Sequence, residues 1–319
     1  MARHTTATLL ITTLFIGCIG VSRAQDAPAS LISESAAGKL TTSDLVASQR
    51  KQADVERSAR LLDPSAPLEE RLAVFREVEA LAQSGNLKDM YVVGSLYRIG
   101  GQLPACPVAR DLDKARLYLS NAATHGEILA MAKMAEMEVS AHHPLEAMTW
   151  AQIYGHYAEL QPEPYRPSEG YLAELVDRAS PGVPKSQMQD VADHLNAFIT
   201  AYDASVRDGI GKDDLTPSAD MTPRFIPKHS IAFRNGEAIP PAGFVDYYVA
   251  FDANGDAVKV LTLDAVPDIK LDGRMHSILS GYKVAPSTQG VPIRYAFIPV
   301  MFDDGKFRLA PKSGKSTAP

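Results

Sequence analysis

Internal repetition constrains the fold of this chain more than any other feature. The stretch LAQSGN at Leu81–Asn86 and the stretch AATHGE at Ala122–Glu127 both pass through small residues to a Gly that can close a helix. Between positions 68 and 160, apolar residues recur at the spacing of one helix face. Because two antiparallel helices cannot bury their apolar faces alone, repeated pairs must stack on one another. The pattern therefore predicts a helical solenoid.

A second alignment supports the repeat. LDKARLYLSNAA at Leu112–Ala123 matches PLEAMTWAQIYG at Pro144–Gly155, with an Ala and an aromatic residue at equivalent positions. Small residues let neighbouring helices approach closely, and aromatic rings fill the space between them. The residues expected in these packed positions are Ala115, Ala122, Ala123, Ala147, Ala151, Tyr97, Tyr118 and Trp150.

This region resembles a known repeat family. Asp89–Gly101 and Arg110–Met137 are similar to the SEL-type branch of the tetratricopeptide-like repeats. The residues that carry the resemblance are Gly94, Leu96, Tyr97, Gly100, Gly101, Asp111, Lys114, Ala115, Tyr118, Ala122, Ala123 and Gly126. The resemblance covers about residues 70–160 and implies a scaffold that binds other proteins.

The helical repeat domain is expected to cover residues 68–207. The Pro-rich stretch Gln161–Gly170 ends the last clear repeat. Two more helices are predicted, Ser168–Ala179 and Lys185–Arg207, and they would cover the apolar end of the solenoid. Gly and Pro then recur within residues 208–225, which predicts a linker and two separately folding units.

Residues 1–24 have the composition of a secretory signal. A basic start precedes the apolar run Ala7–Val21, and Ser22-Arg23-Ala24 offers small residues for cleavage. The run is shorter than the ~20 residues that a spanning helix needs. Cleavage would make the protein periplasmic, whereas an uncleaved segment would anchor it in the inner membrane. Residues 25–67 are predicted to be a polar lead-in with one helix over Thr42–Leu62.

The second half of the chain changes to a strand period. Within Val245–Phe251, apolar residues alternate with positions such as Asp246, which is typical of a half-buried strand. Asn254-Gly255 follows, and a second apolar run continues over Val258–Leu261. Because Asn and Gly both tolerate positive φ, this order predicts a β-hairpin.

The turn itself, Asp252–Asp256, also resembles half of a calcium-binding loop. Such a loop needs Gly at its sixth position and Glu at its twelfth. Counted from Asp252, Gly255 is fourth and Leu263 is twelfth. The sequence therefore favours a hairpin turn over a metal site.

The rest of the second half predicts a β-β-α-β domain over residues 226–312. A helix is expected over Leu271–Tyr282 and a strand over Arg294–Phe302, with a short strand over Lys306–Leu309. Residues 313–319 are expected to be a disordered tail. The predicted fold class is therefore multidomain α and α+β, with a helical solenoid followed by a small β-β-α-β domain.

This second domain resembles the C-terminal domain of TonB, the periplasmic end of a bacterial energy transducer. The resemblance covers about residues 223–310. Its residues are Gly243, Val245, Tyr247, Val249, Phe251, Asn254, Gly255, Tyr282, Ala285, Pro286, Gly290, Val291, Pro292, Ile293, Val300 and Phe302. The N-terminal half lacks the long Pro-Lys and Pro-Glu linker of that family, so the resemblance implies a shared fold more than a shared role.

The residue patterns point to no enzyme, metal or cofactor. Only Cys106 remains if the signal is removed, so no internal disulfide is expected. The histidines lack metal-ligand spacing, and Ser313–Thr317 (SGKST) lacks the first Gly of a phosphate loop. The formal net charge of −6 gives no reason to expect nucleic acid as a partner.

Two functions are consistent with these patterns. The first is a periplasmic scaffold that binds a protein or peptide of the cell envelope through the groove of its helical repeats and through a sheet edge. The second is a membrane-anchored, TonB-like transducer component that acts on an outer-membrane receptor in transport. The residues expected at the binding edge are Arg294, Ala296, Ile298 and Val300.

Overall fold

The computed structural model describes residues 42–161, 167–212, 221, 224–225, 241–279, 281–288 and 290–303. The signal segment 1–24, the expected strand Lys306–Leu309 and the tail 313–319 lie outside the described residues. The same holds for most of the expected linker.

Eight helices occupy the described N-terminal part of the chain. They are α1 (Thr42–Leu61), α2 (Leu68–Gln83), α3 (Leu87–Ile99), α4 (Leu112–Thr124), α5 (Ile128–Ser140), α6 (Pro144–Ala158), α7 (Glu169–Ala179) and α8 (Met188–Lys212). A smaller α+β part follows with β1 (Arg224–Phe225), β2 (Gly243–Asp252), β3 (Ala257–Val266), α9 (Asp272–Leu279), β4 (Tyr282–Lys283) and β5 (Ile293–Phe302). A helical part followed by an α+β part is thus confirmed.

The two repeated stretches form equivalent turns. Gly85 and Gly126 follow α2 and α4 with φ values of 100° and 102°, in the left-handed region that favours glycine. The next residue in each case caps the following helix: the Asn86 side chain accepts from Asp89 N, and the Glu127 side chain accepts from Leu129 N. The prediction that both stretches close a helix is confirmed.

The predicted packing positions of the solenoid are in its core. All five alanines expected at helix contacts are fully buried, namely Ala115, Ala122, Ala123, Ala147 and Ala151. Tyr97 is also buried, and its ring stacks on Tyr118 at 6.2 Å between centroids. Trp150 is half-buried and meets Phe198 of α8 edge to face at 5.7 Å. Small residues therefore bring the helices together, and aromatic rings fill the gaps.

Helix α8 packs on the outer helices α4 and α6. Val191 and Phe198 are buried as its apolar stripe predicted, whereas Tyr202 of the same stripe is 42% exposed. The helix was expected to end at Arg207 but continues to Lys212. The first residues of the predicted linker are therefore helical, because the close contact of α8 with the turn at Gly126 extends past that point.

Three antiparallel strands form the main sheet in the order β3-β2-β5. Strand β2 is buried along nearly its whole length, so the prediction of a half-buried strand is wrong. Its odd-numbered residues from Val245 to Phe251 join an apolar cluster with Met275 of α9. Phe244 and Tyr248, on the other face, join the core of the solenoid. Both faces are covered, since helices pack on each side of the sheet.

The hairpin between β2 and β3 is confirmed. Gly255 has a φ of 85°, and Asp252 N donates to Asp256 O at 2.9 Å. The Asp252 carboxylate accepts from the backbone N–H groups of Asn254 and Asp256, both at 2.9 Å. The carboxylate thus stabilises the turn itself, as Asp commonly does.

The helix predicted over Leu271–Tyr282 is shorter than expected. Its buried positions Leu271, Met275 and Leu279 pack against the sheet, but α9 ends at Leu279. Tyr282 belongs instead to β4, which pairs with β1 through Phe225. A local helical period could not reveal this pairing, because the partner strand lies far upstream in the sequence.

Candidate functional site

The strand predicted as a binding edge, β5, is an end strand of the sheet that the described residues form. Among the described residues, β5 pairs with β2 alone. The side chains of the four predicted residues Arg294, Ala296, Ile298 and Val300 share one face, as strand geometry requires, and all are buried. Three of them pack in the cluster beside α9. Docking at this edge would therefore use backbone groups rather than these side chains.

The other face of β5 lies against the helices. Phe297 meets Tyr248 and Tyr91 at ring-centroid distances of 5.4 Å and 6.3 Å. Ile293 is 40% exposed, and Pro299 is exposed as well. A proline within a strand is typical of a sheet edge, because it has no N–H to donate to a neighbouring strand.

A second arrangement, which the sequence did not predict, lies between the helices and the sheet. The ammonium group of Lys133 on α5 is 2.7 Å from Asp246 Oδ2 and 2.9 Å from Asp264 Oδ2. It also donates to Ser95 Oγ at 2.6 Å. The side chains of Lys133, Asp246 and Asp264 are all 0% exposed. The group is therefore a sealed charge cluster shared by both parts of the chain.

Two residues of α3 complete this charge cluster. Arg98 donates from Nε to Asp264 Oδ2 at 2.8 Å, and its Nη2 donates to Asp264 Oδ1 and to the Ala265 carbonyl. The Tyr91 hydroxyl donates to Asp246 Oδ2 at 2.5 Å. The Lys133 ammonium also lies 4.2 Å from the centre of the Tyr91 ring. Two cations and two carboxylates thus balance in charge, as buried charges require.

The two carboxylates of the cluster differ in their environments. Burial raises the pKa of Asp246 above its usual value, although Lys133 and Tyr91 act against it. Burial also disfavours the charged form of Asp264, but Arg98 and Lys133 outweigh that effect and hold its pKa below the usual value. Asp246 Oδ1 has no hydrogen-bond partner among the described residues. Asp246 is therefore the less well stabilised of the pair.

Strand pairing explains why the cluster needs cations. Asp246 and Asp264 are direct cross-strand partners in β2 and β3, and like charges in that position repel. The sequence contained one signal that was missed: Lys133 is the one charged residue in the apolar run Ile128–Ala135 (ILAMAKMA), which the structure buries throughout. A lysine in such a segment must find an anion, and both of its partners come from distant strands.

A second polar network joins α5, α7 and β2. Arg178 forms a bidentate ion pair with Glu136, with both N–O distances at 2.6 Å. The Tyr171 hydroxyl donates to the same carboxylate at 3.0 Å. Glu174 accepts from Ala242 N at 2.9 Å, immediately before β2. This network fixes α7 to α5 and to the start of the sheet.

The cysteine and a histidine that the sequence offered as reactive or metal-binding groups make contacts within the helical part. Cys106 lies between α3 and α4, where its Sγ is 3.6 Å from Leu96 O and 3.5 Å from Val108 O. Burial raises the pKa of this thiol. His143 Nδ1 is 2.8 Å from Glu138 Oε2. Within the described ranges, no three His, Cys, Asp or Glu residues are grouped closely enough to hold a metal ion.

Comparison of this chain with protein-family models, with curated proteins and with solved structures gives no match. In the part of the chain that the structure describes, none of the helices combines the length and the hydrophobicity needed to span a bilayer.

Proposed function

We propose that this chain is a non-enzymatic binding or scaffold protein of the cell envelope, exported by its N-terminal signal. The equivalent turns after α2 and α4, with the packed alanines, support a SEL-type repeat. The order β2-β3-α9-β5 supports a TonB-like second domain. The charge cluster of Lys133, Asp246 and Asp264 is sealed between helices and sheet, which is consistent with a structural rather than a catalytic use.

The position of β5 carries this proposal. A strand with one unpaired side can accept an extended peptide as an additional strand, so that main-chain hydrogen bonds provide the affinity. The described structure pairs β5 on one side only. The partner would be a protein segment of the envelope that adopts an extended conformation. Selectivity would come from side chains at the rim of the edge, where Ile293 and Pro299 are exposed.

The sheet covers one side of the helical repeats, whose groove is the other expected binding surface. Tyr91 of α3, Lys133 of α5 and Tyr171 of α7 all contact residues of β2. A groove at this face is therefore occupied within the chain. A partner of the helical repeats would use another face of the solenoid or displace the sheet.

Backbone substitution in β5 tests the proposed edge. The full-length chain is immobilised, envelope proteins are captured, and the affinity of the recovered partner is measured for the wild type and for Tyr295→Pro. Backbone N–H groups alternate in direction along a strand, so the N–H of Tyr295 faces the same unpaired side as Pro299, whereas that of Ala296 faces its β2 partner Val249. Tyr295→Ala is the matched control, because it keeps the backbone N–H that proline removes. We expect Tyr295→Pro to weaken binding more than this control. Full binding by a folded Tyr295→Pro variant, as judged by circular dichroism, would exclude this edge.

A membrane-anchored transducer component is the second candidate, because the β-β-α-β order is also that expected of a TonB-like domain. The state of the N-terminus separates the two functions. An intact mass that begins at Gln25, with recovery in the soluble envelope fraction, favours the scaffold. Retention of Met1 in the membrane fraction favours the transducer.

A further inference from the structure

One face of the solenoid, formed by α1, α3, α5 and α7, is covered by the sheet of the same chain; we call this face the helical row. The buried rings of Phe244 and Tyr248 on β2 belong to the same apolar core as Tyr91 and Tyr171 of the row. Phe244 meets Tyr171 edge to face at 5.7 Å. Apolar contact of this kind is sufficient in principle to hold a sheet against helices.

The charges at the centre of this contact therefore need an explanation. Replacing a buried ion pair by apolar residues of similar volume is often neutral or stabilising, because desolvation offsets the attraction. Lys133, Asp246 and Asp264 are nevertheless completely enclosed. We therefore expect these charges to select one register of the sheet against the helical row, and to add little stability.

Strand geometry shows how the cluster selects one arrangement. A slip of β2 by one residue against the helical row would turn Asp246 to the face that packs on α9. A slip by two residues would move its carboxylate by roughly 6–7 Å along the strand, whereas Lys133 Nζ now lies 2.7 Å from it. Either slip would leave buried charges unpaired, which is strongly unfavourable. Of these three registers, the observed one alone pairs both carboxylates with a cation.

The same charges make the contact easier to open than a wholly apolar one. When the sheet leaves the row, Lys133, Arg98 and both carboxylates regain hydration that they lose on docking. Asp246 Oδ1, which is without a hydrogen-bond partner in the described structure, would gain one from water. The other contacts at the rim include the Lys259–Asp63 pair, whose side chains are 38% and 23% exposed. Exposed pairs of this kind add little stability.

We propose that the sheet is an intramolecular ligand of the helical row, and that Lys133 is the positioning residue that makes this docking specific and reversible. In the docked state the chain occupies its own helical row, so this contact is autoinhibitory for any partner that would bind there. This inference does not depend on a partner at β5.

Thiol labelling of the full-length protein tests whether the sheet docks reversibly on the helical row. Ala250 is buried on the face of β2 that bears Phe244 and Tyr248, so Ala250→Cys reports opening of the sheet from the row. Ala147→Cys, in the core of the solenoid, reports unfolding of the helices. Labelled peptides are identified by mass, which separates both thiols from the native Cys18 and Cys106. The labelling rate of each reporter is measured with Lys133 present and with Lys133→Met.

The expected result is a selective opening. Lys133→Met should raise the labelling rate at position 250 by at least about tenfold, because it leaves a buried carboxylate unpaired, and should leave the rate at position 147 unchanged. Adding Asp246→Asn should reverse most of the increase. Equal acceleration at both positions, or no acceleration, would overturn the proposal. If Lys133→Met does not fold, Tyr91→Phe is a milder variant, because it removes one hydrogen bond to Asp246. A faster labelling rate at position 250 with an unchanged rate at position 147 would again support the proposal, and any other result would overturn it.

Discussion

At the residue scale, burial and the charge of Arg57 have opposite effects on the pKa of Asp89. Its carboxylate lies 3.6 Å from Arg57 Nη2, which favours the charged form. Burial outweighs that attraction, and the nearby Asp54 and Glu77 add repulsion, so the pKa of Asp89 rises to about 6. The ionised side chain is therefore unfavourable in the folded protein at neutral pH, even though it has an ion-pair partner.

This shift predicts a specific pH dependence. Because the folded-state pKa lies above the unfolded value, the folded state binds the proton more tightly. The stabilisation is complete below the unfolded pKa near 4 and is lost as the pH rises through about 6. Asp89→Asn should therefore raise the melting temperature at pH 7 and flatten its dependence between pH 4 and 7. Asp113→Asn, at a fully exposed side chain, is the control. An unchanged slope in Asp89→Asn would contradict the assignment.

At the element scale, local signals predicted the elements well, and long-range contacts were missed. The start of α7 at its Ser168 cap, the hairpin turn and the extent of β5 follow from caps, glycines and apolar periods within a few residues. The burial of Asp246 does not, because an acidic residue in an alternating strand normally faces water. Its partner Lys133 is remote in sequence, and no local period reveals that pairing.

The two equivalent turns provide a matched pair of substitutions. Gly85→Ala and Gly126→Ala place a side chain at almost the same positive φ, and each should lose about 1–2 kcal/mol from backbone strain. A Cβ at Gly85 would meet nothing within 4 Å, whereas one at Gly126 would lie 2.6 Å from Val206 O in α8. Chemical denaturation should therefore show a larger loss for Gly126→Ala. Equal losses would mean that α8 does not pack on this turn.

Close helix packing makes a second prediction at this scale. Ala123 is fully buried in the solenoid, so Ala123→Leu should overpack the contact and lower the free energy of unfolding by about 1–3 kcal/mol. Ala80→Leu, at an exposed position of α2, is the control and should change it little. A melting temperature of Ala123→Leu equal to that of the wild type would show that the assigned helix contact is wrong.

At the scale of the whole molecule, polar contacts join helices and sheet at several separate points. The charge cluster lies at the centre, and Glu174 holds the backbone before β2. At the end of β5, the Ser168 hydroxyl donates to the Asp303 carboxylate. Each contact takes one group from either part of the chain. The two units predicted from the sequence are therefore expected to be coupled in stability, whether or not each can fold alone.

Unfolding measured by two probes tests this coupling. Trp150 is the only tryptophan of the chain and lies in α6 against Phe198, so its fluorescence reports the solenoid. Far-UV circular dichroism reports helices and sheet together. Because separating the sheet from the helices would lose the apolar contact of Phe244 and Tyr248 with the solenoid core, the wild type should show coincident transitions by both probes. Lys133→Met removes the ion pairs to the sheet and leaves the packing of Trp150 on Phe198 in place, so its circular dichroism should change before its fluorescence. Separate transitions in the wild type would contradict the coupling and would leave the two parts as independent folding units.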